Sequence, residues 1–328
     1  MKESTIRNED ISSIYVLKAI CAAGVVYLHC WYSNEYILLF SKLAVPIFFA
    51  ISGYFLFDKK SYFNDQRLFR TILKTIKLIL LTNLLYLIYN CIIWLFTGVC
   101  PIKIDSPIFF LTWLFIGGNI APPLWYLNAY VETLITLYII VRITKLGKYL
   151  PLIFIICYLG ALILGRYAYL FHLIVPKGWI YTNFLFLGIP FVSIGMFIKR
   201  YESFFKNSAL FLFIIAISAF ILEMYLYRHI ASYGGDGYIA FTSCPLIIAI
   251  LALCLQYKNS FSASNLLAII GKKYSLQIYI LHFLFLQICL LLNKQISLPP
   301  FLIFIFSYTM PIIITYTYKQ LKIYINEK

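Results

Sequence analysis

The sequence predicts an all-α polytopic membrane bundle of about ten transmembrane helices, and three observations predict it. Hydrophobic side chains make up 62% of the 328 residues and charged ones only 12%, about half the charged share of soluble domains. The apolar residues fall in runs long enough to cross a hydrocarbon core about 30 Å thick. The aromatic share of 19%, mostly Tyr and Phe, suits belts at two membrane interfaces.

In chain order the expected spans are Ser12–Trp31, Ile37–Phe57, Thr75–Phe96, Leu124–Val141 and Pro151–Leu170, then Ile180–Ile198, Leu210–Tyr227, Tyr238–Gln256, Leu276–Leu292 and Pro300–Tyr318. The run Ile108–Ile116 is too short to cross and reads as re-entrant or interfacial. No fixed-period repeat or low-complexity tract interrupts the pattern, so one membrane domain over residues 1–328 is expected. The tip Gly234-Gly235-Asp236-Gly237 reads as a flexible turn.

The charges between spans check this count. With the N-terminus placed in the cytoplasm, the inner segments hold 20 Lys and Arg, the outer ones hold six, and Lys18 is left within the first span. That asymmetry predicts both termini in the cytoplasm. It also accounts for the net charge of +15 without nucleic acid as a partner. The basic inner segment Asp58–Lys77 carries Arg67, Arg70, Lys74 and Lys77 at spacings of three and four, one cationic stripe on a helix.

Several chemistries are not expected. The eight cysteines include no CxxC pair and mostly sit in apolar runs, where a small buried hydrophobe is their expected role; neither a disulfide framework nor a metal site is expected. Walker, HExxH and GxSxG motifs are absent, which argues against an ATP-driven pump, a zinc peptidase or an ordinary serine hydrolase. The first apolar run, Ile11–Trp31, is longer than a signal-peptide core and another span follows at once, so cleavage is not expected.

The residues that can carry chemistry begin with Lys18 and His29. Eleven positions apart, they share one helix face about 16 Å apart along the axis. Titratable groups inside a span are costly and mark function by default. Lys18 can snorkel to the inner headgroups and His29 can bond a neighbouring helix. Together they form a cationic anchor and a base, able to hold a phosphorylated donor and to take a proton from a hydroxyl. Ser52 and Gly53 suit close helix packing. Trp125 and Tyr126 suit either a sugar ring or an interfacial belt. Glu132 can orient a histidine, bind an acceptor hydroxyl or pair with a lysine, and His282 can join the site or bond a neighbouring helix. Arg166 and His172, and the group Glu223, Arg228, His229 and Asp236, lie at outer span ends as solvated or acceptor-binding residues.

Five blocks in order resemble the acyltransferase family 3 integral membrane proteins, which modify cell-surface glycans. They are Leu17-Lys18-Ala19-Ile20 through His29; Ala44-Val45-Pro46 through Ser52-Gly53-Tyr54-Phe55-Leu56; Lys74 and Lys77, placed at the family's Arg-x-x-Arg pair; Leu124-Trp125-Tyr126-Leu127; and Tyr274-Ser275-Leu276 through His282. The likeness runs from Leu17 to His282. Four positions depart from it: Tyr15 replaces an Asp, Pro123 a His, and Lys74 and Lys77 the arginine pair, which loses the forked phosphate contact.

The resemblance implies an O-acyltransferase that moves an acyl group, usually acetyl, from acetyl-CoA or another acyl-CoA to a hydroxyl of a surface or lipid-linked glycan. It makes Lys18 and His29 essential and sets Lys74 and Lys77 at the donor; on the residues' own chemistry Arg70 is expected to join them, with Ser52, Trp125, Tyr126, Glu132 and His282 as acceptor or supporting residues. It implies a bacterial-type inner membrane and no tightly bound cofactor, and it leaves a homo-oligomer open. The esterase-like extracytoplasmic domain of some polysaccharide O-acetyltransferases is not expected. The chain also resembles the membrane half of vancomycin-type serine racemases, so a transporter of a small polar substrate such as an amino acid is the alternative reading. A non-catalytic scaffold is a third, in which Lys18 and His29 affect packing only.

Overall fold

The computed structural model describes residues 10–30, 34–58, 61–99, 102, 108–115, 117–118, 120–173, 180, 182–230, 239–262, 264–293 and 296–326. Within them lie α1 (Ser12–His29), α2 (Glu35–Lys42), α3 (Ala44–Leu56), a two-residue hairpin of β1 (Phe57–Asp58) and β2 (Tyr62–Phe63), α4 (Asp65–Thr97), α5 (Ile108–Phe115), α6 (Trp125–Tyr138) and α7 (Leu150–Leu164). There follow α8 (Ile189–Arg200), α9 (Glu202–Asn207), α10 (Ala209–Ile230), α11 (Ser243–Gln256), α12 (Leu266–Lys273), α13 (Ser275–Asn293) and α14 (Pro300–Asn326). The fold is an all-α polytopic bundle, as the apolar runs predict. The glycine-rich tip with Asp236, and the lysines and arginine at 2, 7, 59, 60, 103, 177, 294 and 328, lie outside the described residues.

Eight helical segments among the described residues are long and apolar enough to cross a membrane. The sixth and eighth predicted spans are shorter: a π-helical turn Phe184–Gly188 runs into the twelve residues of α8, and α11 has 14. The second span is broken at Leu43 between α2 and α3, where Pro46 lacks the N–H that would continue an unbroken ladder. Asn34 and Asn64 cap α2 and α4 by accepting from Ile37 N and Arg67 N, and Gly98 ends α4 at φ 68°. Helix α4 starts ten residues before the predicted span, so the basic stripe continues the transmembrane helix instead of preceding it. The short α5 docks on the middle of α4, its Trp113 Nε1 donating to Asn83 Oδ1 at 3.0 Å, which fits a re-entrant segment.

Helix α1 is central, contacting α2, α3, α11, α12, α13 and α14. The tightest pairing is α3 on α8. A Cβ on Gly53 would overlap the Val192 carbonyl, and one on Gly195 the Ala50 carbonyl, so the two backbones touch through glycine. Gly53 therefore has the packing role its sequence context suggested. At the basic end, Glu202 joins three elements. It accepts from Tyr54 of α3 (3.0 Å), Lys199 of α8 (3.1 Å) and Lys258 beyond α11 (2.7 Å). Arg142, after α6, pairs with Asp65 at 2.8 Å and donates to the Phe63 carbonyl, holding the hairpin against the start of α4.

Two outcomes follow from this packing. Gly53→Val or Gly195→Val is expected to destabilise the purified protein by about 3 kcal/mol or more, because the added carbons meet backbone that cannot repack; an unchanged thermal midpoint would contradict the contact. Burial alone would raise the Glu202 carboxyl, but hydrogen bonds from Lys258, Lys199 and Tyr54 bring it down to about 2. Its stabilisation is thus present above the ordinary carboxyl range and lost as pH falls towards 2. Glu202→Gln is expected to cost about 2 kcal/mol at neutral pH after allowance for partial exposure. The gap between variant and wild-type unfolding should narrow steadily below pH 4.5, and a gap that widens on acidification would contradict the assignment.

Candidate active site

Helical periodicity gives each helix of the site one polar face, and packing of the helices brings those faces together. On α4, Arg67, Arg70, Thr71 and Lys74 occupy positions i, i+3, i+4 and i+7 and share one face. On α6, Tyr126 and Tyr130 stack at 6.1 Å with an interplanar angle of 11°. On α13, Ser275, Tyr279 and His282 form an i, i+4, i+7 stripe, and α1 presents Lys18 and His29. The α4 face, Tyr126 and Tyr130, Ser275 and Tyr279, Lys18, and Ser52 with its neighbours on α3 converge on a cavity of about 520 Å³. Lys18, Arg67, Arg70 and Lys74 line it together with Ser52, Tyr126, Tyr130 and Tyr279. No Asp or Glu lines it among the described residues.

Lys18 makes no hydrogen bond or ion pair among the described residues, although α1 is packed on several sides. Tyr15 beside it is tied down, donating to Asp10 at 2.7 Å, while Lys272 pairs with the other Asp10 oxygen at 2.7 Å. Those bonds, from Lys272 first and then Tyr15, hold the Asp10 carboxyl below its ordinary range. The carboxylate nearest in sequence to Lys18 is therefore already engaged.

An aromatic series leads away from the cations. Tyr126 meets Tyr279 edge-on at 5.4 Å, Tyr279 lies 6.3 Å from His282, and His282 lies 5.4 Å from His29. The Tyr279 hydroxyl donates to the Pro123 carbonyl, fixing α13 against the turn before α6. Neither histidine lines the cavity; both stand behind its Tyr126–Tyr279 wall. His282 is fully buried, and its Nδ1 lies 3.0 Å from the Ile278 carbonyl and 2.8 Å from that of Tyr279. Carbonyls only accept, so Nδ1 carries the proton and Nε2 keeps its lone pair. That Nε2 is buried without a partner among the described residues, beside the His29 ring. The arrangement can hold a polyanion at one end and accept a proton at the other.

The sequence-predicted residues separate accordingly. Lys18, Ser52, Arg70, Lys74 and Tyr126 are brought to one cavity, and His29 and His282 to each other. Lys77, a turn beyond Lys74 and exposed, does not line the cavity. Nor does Trp125, whose Cβ faces the position of a Cβ on Gly118, or Glu132, which has no partner among the described residues. Polar and aromatic lining residues not named beforehand as site residues include Arg67, Tyr130, Ser275 and Tyr279. A readable signal existed for the first: Arg67-Leu68-Phe69-Arg70 itself has the Arg-x-x-Arg spacing. Towards the far ends of the helices, Glu223 accepts from the backbone of Phe241 and Thr242 and so starts α11, and buried Arg166 donates to the Ile239 carbonyl. Both have structural work there.

Comparison with known proteins places the chain in a family. The acyltransferase family 3 model, described as an acyltransferase domain, matches residues 11–319; the chain belongs to that family, and it is a multi-pass membrane protein of acyltransferase type. It is similar to a serine/alanine racemase of Enterococcus gallinarum, 26% identical over 277 residues that cover 74% of this chain and 37% of the relative. The chain thus spans well under half the length of that relative. No solved structure matches it.

Lys18 stands on a cavity with three further cations and no Asp or Glu among its described lining residues, so it adds like-charge repulsion there. Lys18→Met is therefore expected to leave the thermal midpoint of the ligand-free protein unchanged or higher by up to about 1 kcal/mol. It should also weaken the stabilisation that added salt gives the wild type, since screening acts on this repulsion. A destabilisation of about 3 kcal/mol or more would instead mark Lys18 as the partner of a buried carboxylate.

Proposed function

We propose that this protein is an inner-membrane O-acyltransferase that moves an acyl group, acetyl by preference, from acyl-CoA to a hydroxyl of a surface or lipid-linked glycan. One observation carries the reading: a cationic cavity, free of carboxylate among its described lining residues, is walled by tyrosines with a histidine pair behind them. Coenzyme A is a polyanion with a long neutral arm, and this site has the matching order of chemistry. Arg67 and Arg70 supply planar forks for the phosphates, and Lys74 and Lys18 supply point charges. The pantetheine arm then passes the tyrosine wall towards His29. The basic end of the bundle faces the cytoplasm, where acyl-CoA resides.

In the chemical step the acceptor oxygen attacks the thioester carbonyl carbon. A C–O bond forms, the C–S bond breaks, and the hydroxyl proton passes to His29 and on to the departing thiolate, giving the ester and free coenzyme A. His29 is the base because it has no hydrogen-bond partner among the described residues, while the Nδ1 of His282 is committed to two carbonyls. Holding both reactants in one place supplies much of the rate.

A second reading has the bundle pass a small amino acid across the membrane, with serine or alanine taken as candidates from the relative's name. One experiment separates the two. Membranes carrying wild type or His29→Ala, matched for protein, are given acetyl-labelled acetyl-CoA and their own glycans. Label is expected in glycan with wild type and is expected to fall by roughly a hundredfold or more in the variant, the usual worth of a general base. Arg70→Ala and Lys74→Ala should raise the donor KM by on the order of tenfold each, with kcat less affected. Absence of label with wild type, alongside His29-dependent movement of labelled serine into vesicles, would replace the enzyme with the carrier.

A further inference from the structure

A second cavity of about 520 Å³ shares no lining residue with the first. It lies between α7 and α8 at the hairpin end of the bundle and reaches towards α11. Its walls are Phe154, Ile155, Ile194, Met196, Phe197 and Ile248. Two of these, Ile155 and Phe197, are 49% and 48% exposed, so the slot opens sideways where the bilayer lies. Two cations, Lys148 before α7 and Arg200 at the end of α8, stand at its rim at one membrane surface. Each sits over its neighbouring tyrosine ring, at 5.0 and 5.9 Å, and neither has an ion pair among the described residues.

The third feature is Ser193, which also lines the slot. Its hydroxyl is buried and has no hydrogen-bond partner among the described residues. Serines in transmembrane helices ordinarily bond the carbonyl a turn back, and a buried unpaired hydroxyl costs about 1–3 kcal/mol. Ser193 lies seven residues, roughly 10 Å, along α8 from Arg200. It is therefore below the rim, where an amphiphile's chain would begin.

A water-soluble ligand has no use for a side opening to hydrocarbon, and a neutral lipid has no use for two unpaired cations. We propose that the slot binds an anionic glycerophospholipid. One acyl chain lies between α7 and α8, the phosphate sits between Lys148 and Arg200, and the Ser193 hydroxyl donates to an ester carbonyl. The site is independent of the acyl-transfer reading and would stand if that reading failed.

Native mass spectrometry of the purified protein tests it, with equal amounts of phosphatidylglycerol and phosphatidylcholine added. Wild type is expected to retain phosphatidylglycerol in preference. The double variant Lys148→Gln, Arg200→Gln should lower that preference by on the order of thirtyfold, the worth of two cations at an anionic membrane surface. Both residues are exposed, so this variant folds normally. Ser193→Phe, which fills the slot, should release lipids of both kinds, and Lys206→Gln, a cation of the same membrane face outside the slot, should release neither. Equal retention of the two lipids by wild type, or an undiminished preference in the double variant, would overturn the proposal. Displacement of phosphatidylglycerol by millimolar glycerol phosphate would also overturn it, since the site would then read the headgroup alone.

Discussion

The gathering of Lys18, Arg67, Arg70 and Lys74 on one cavity with no Asp or Glu among its described lining residues is the constraint on which this account of the site depends. A single cation at the centre of a span costs about 3 kcal/mol on insertion scales, and gathering several on one cavity without a lining carboxylate adds to that cost. The fold meets it by placing three of the four on the first turns of α4, near the basic end, and by holding the helices firmly elsewhere. Backbone contact through Gly53 and Gly195, the Glu202 cluster and the Arg142–Asp65 pair all lie close to this end. Carboxylates are present nearby, but Asp65, Glu202 and Asp10 are each engaged by another cation. The remaining positive field is available to a ligand.

The site has a direction. Cations stand at one end, tyrosines in the middle and a histidine pair behind them, over a length comparable with the 16 Å between Lys18 and His29 on α1. Buried His282 is held as one tautomer by two carbonyls, which makes it a fixed neighbour for His29. A polyanionic donor and a neutral acceptor hydroxyl would approach from opposite sides of such a site, and only the reacting atoms would need to meet.

Much of this was legible in the sequence because helices repeat. Lys18 and His29 are eleven apart, the α4 stripe is spaced by three and four, and the apolar runs and the basic-residue asymmetry give the spans. The less legible parts depend on which helices meet. Nothing local separates Lys74, which lines the cavity, from Lys77, which lies a turn later and does not. Glu132 carries the same local signal as His282 yet has no partner among the described residues, whereas His282 meets His29 through a pairing of α1 with α13 that periodicity does not specify. Arg67 belongs to the cationic stripe in the sequence but is not singled out there at the donor, and its helix runs unbroken from Asp65 into the span expected from Thr75. The second cavity left no sequence signal: Lys148, Ser193 and Arg200 come together only when α7 packs on α8.

The most direct test of the central claim is a structure of the full protein in lipid with a non-hydrolysable acetyl-CoA analogue, in which the thioester sulfur is replaced by a methylene. The account predicts the phosphates against Arg67, Arg70 and Lys74, Lys18 beside the arm, and the acyl carbonyl beyond Tyr126 and Tyr279 next to His29. An analogue seated elsewhere, or a cationic cavity left without it at saturating concentration, would contradict the account.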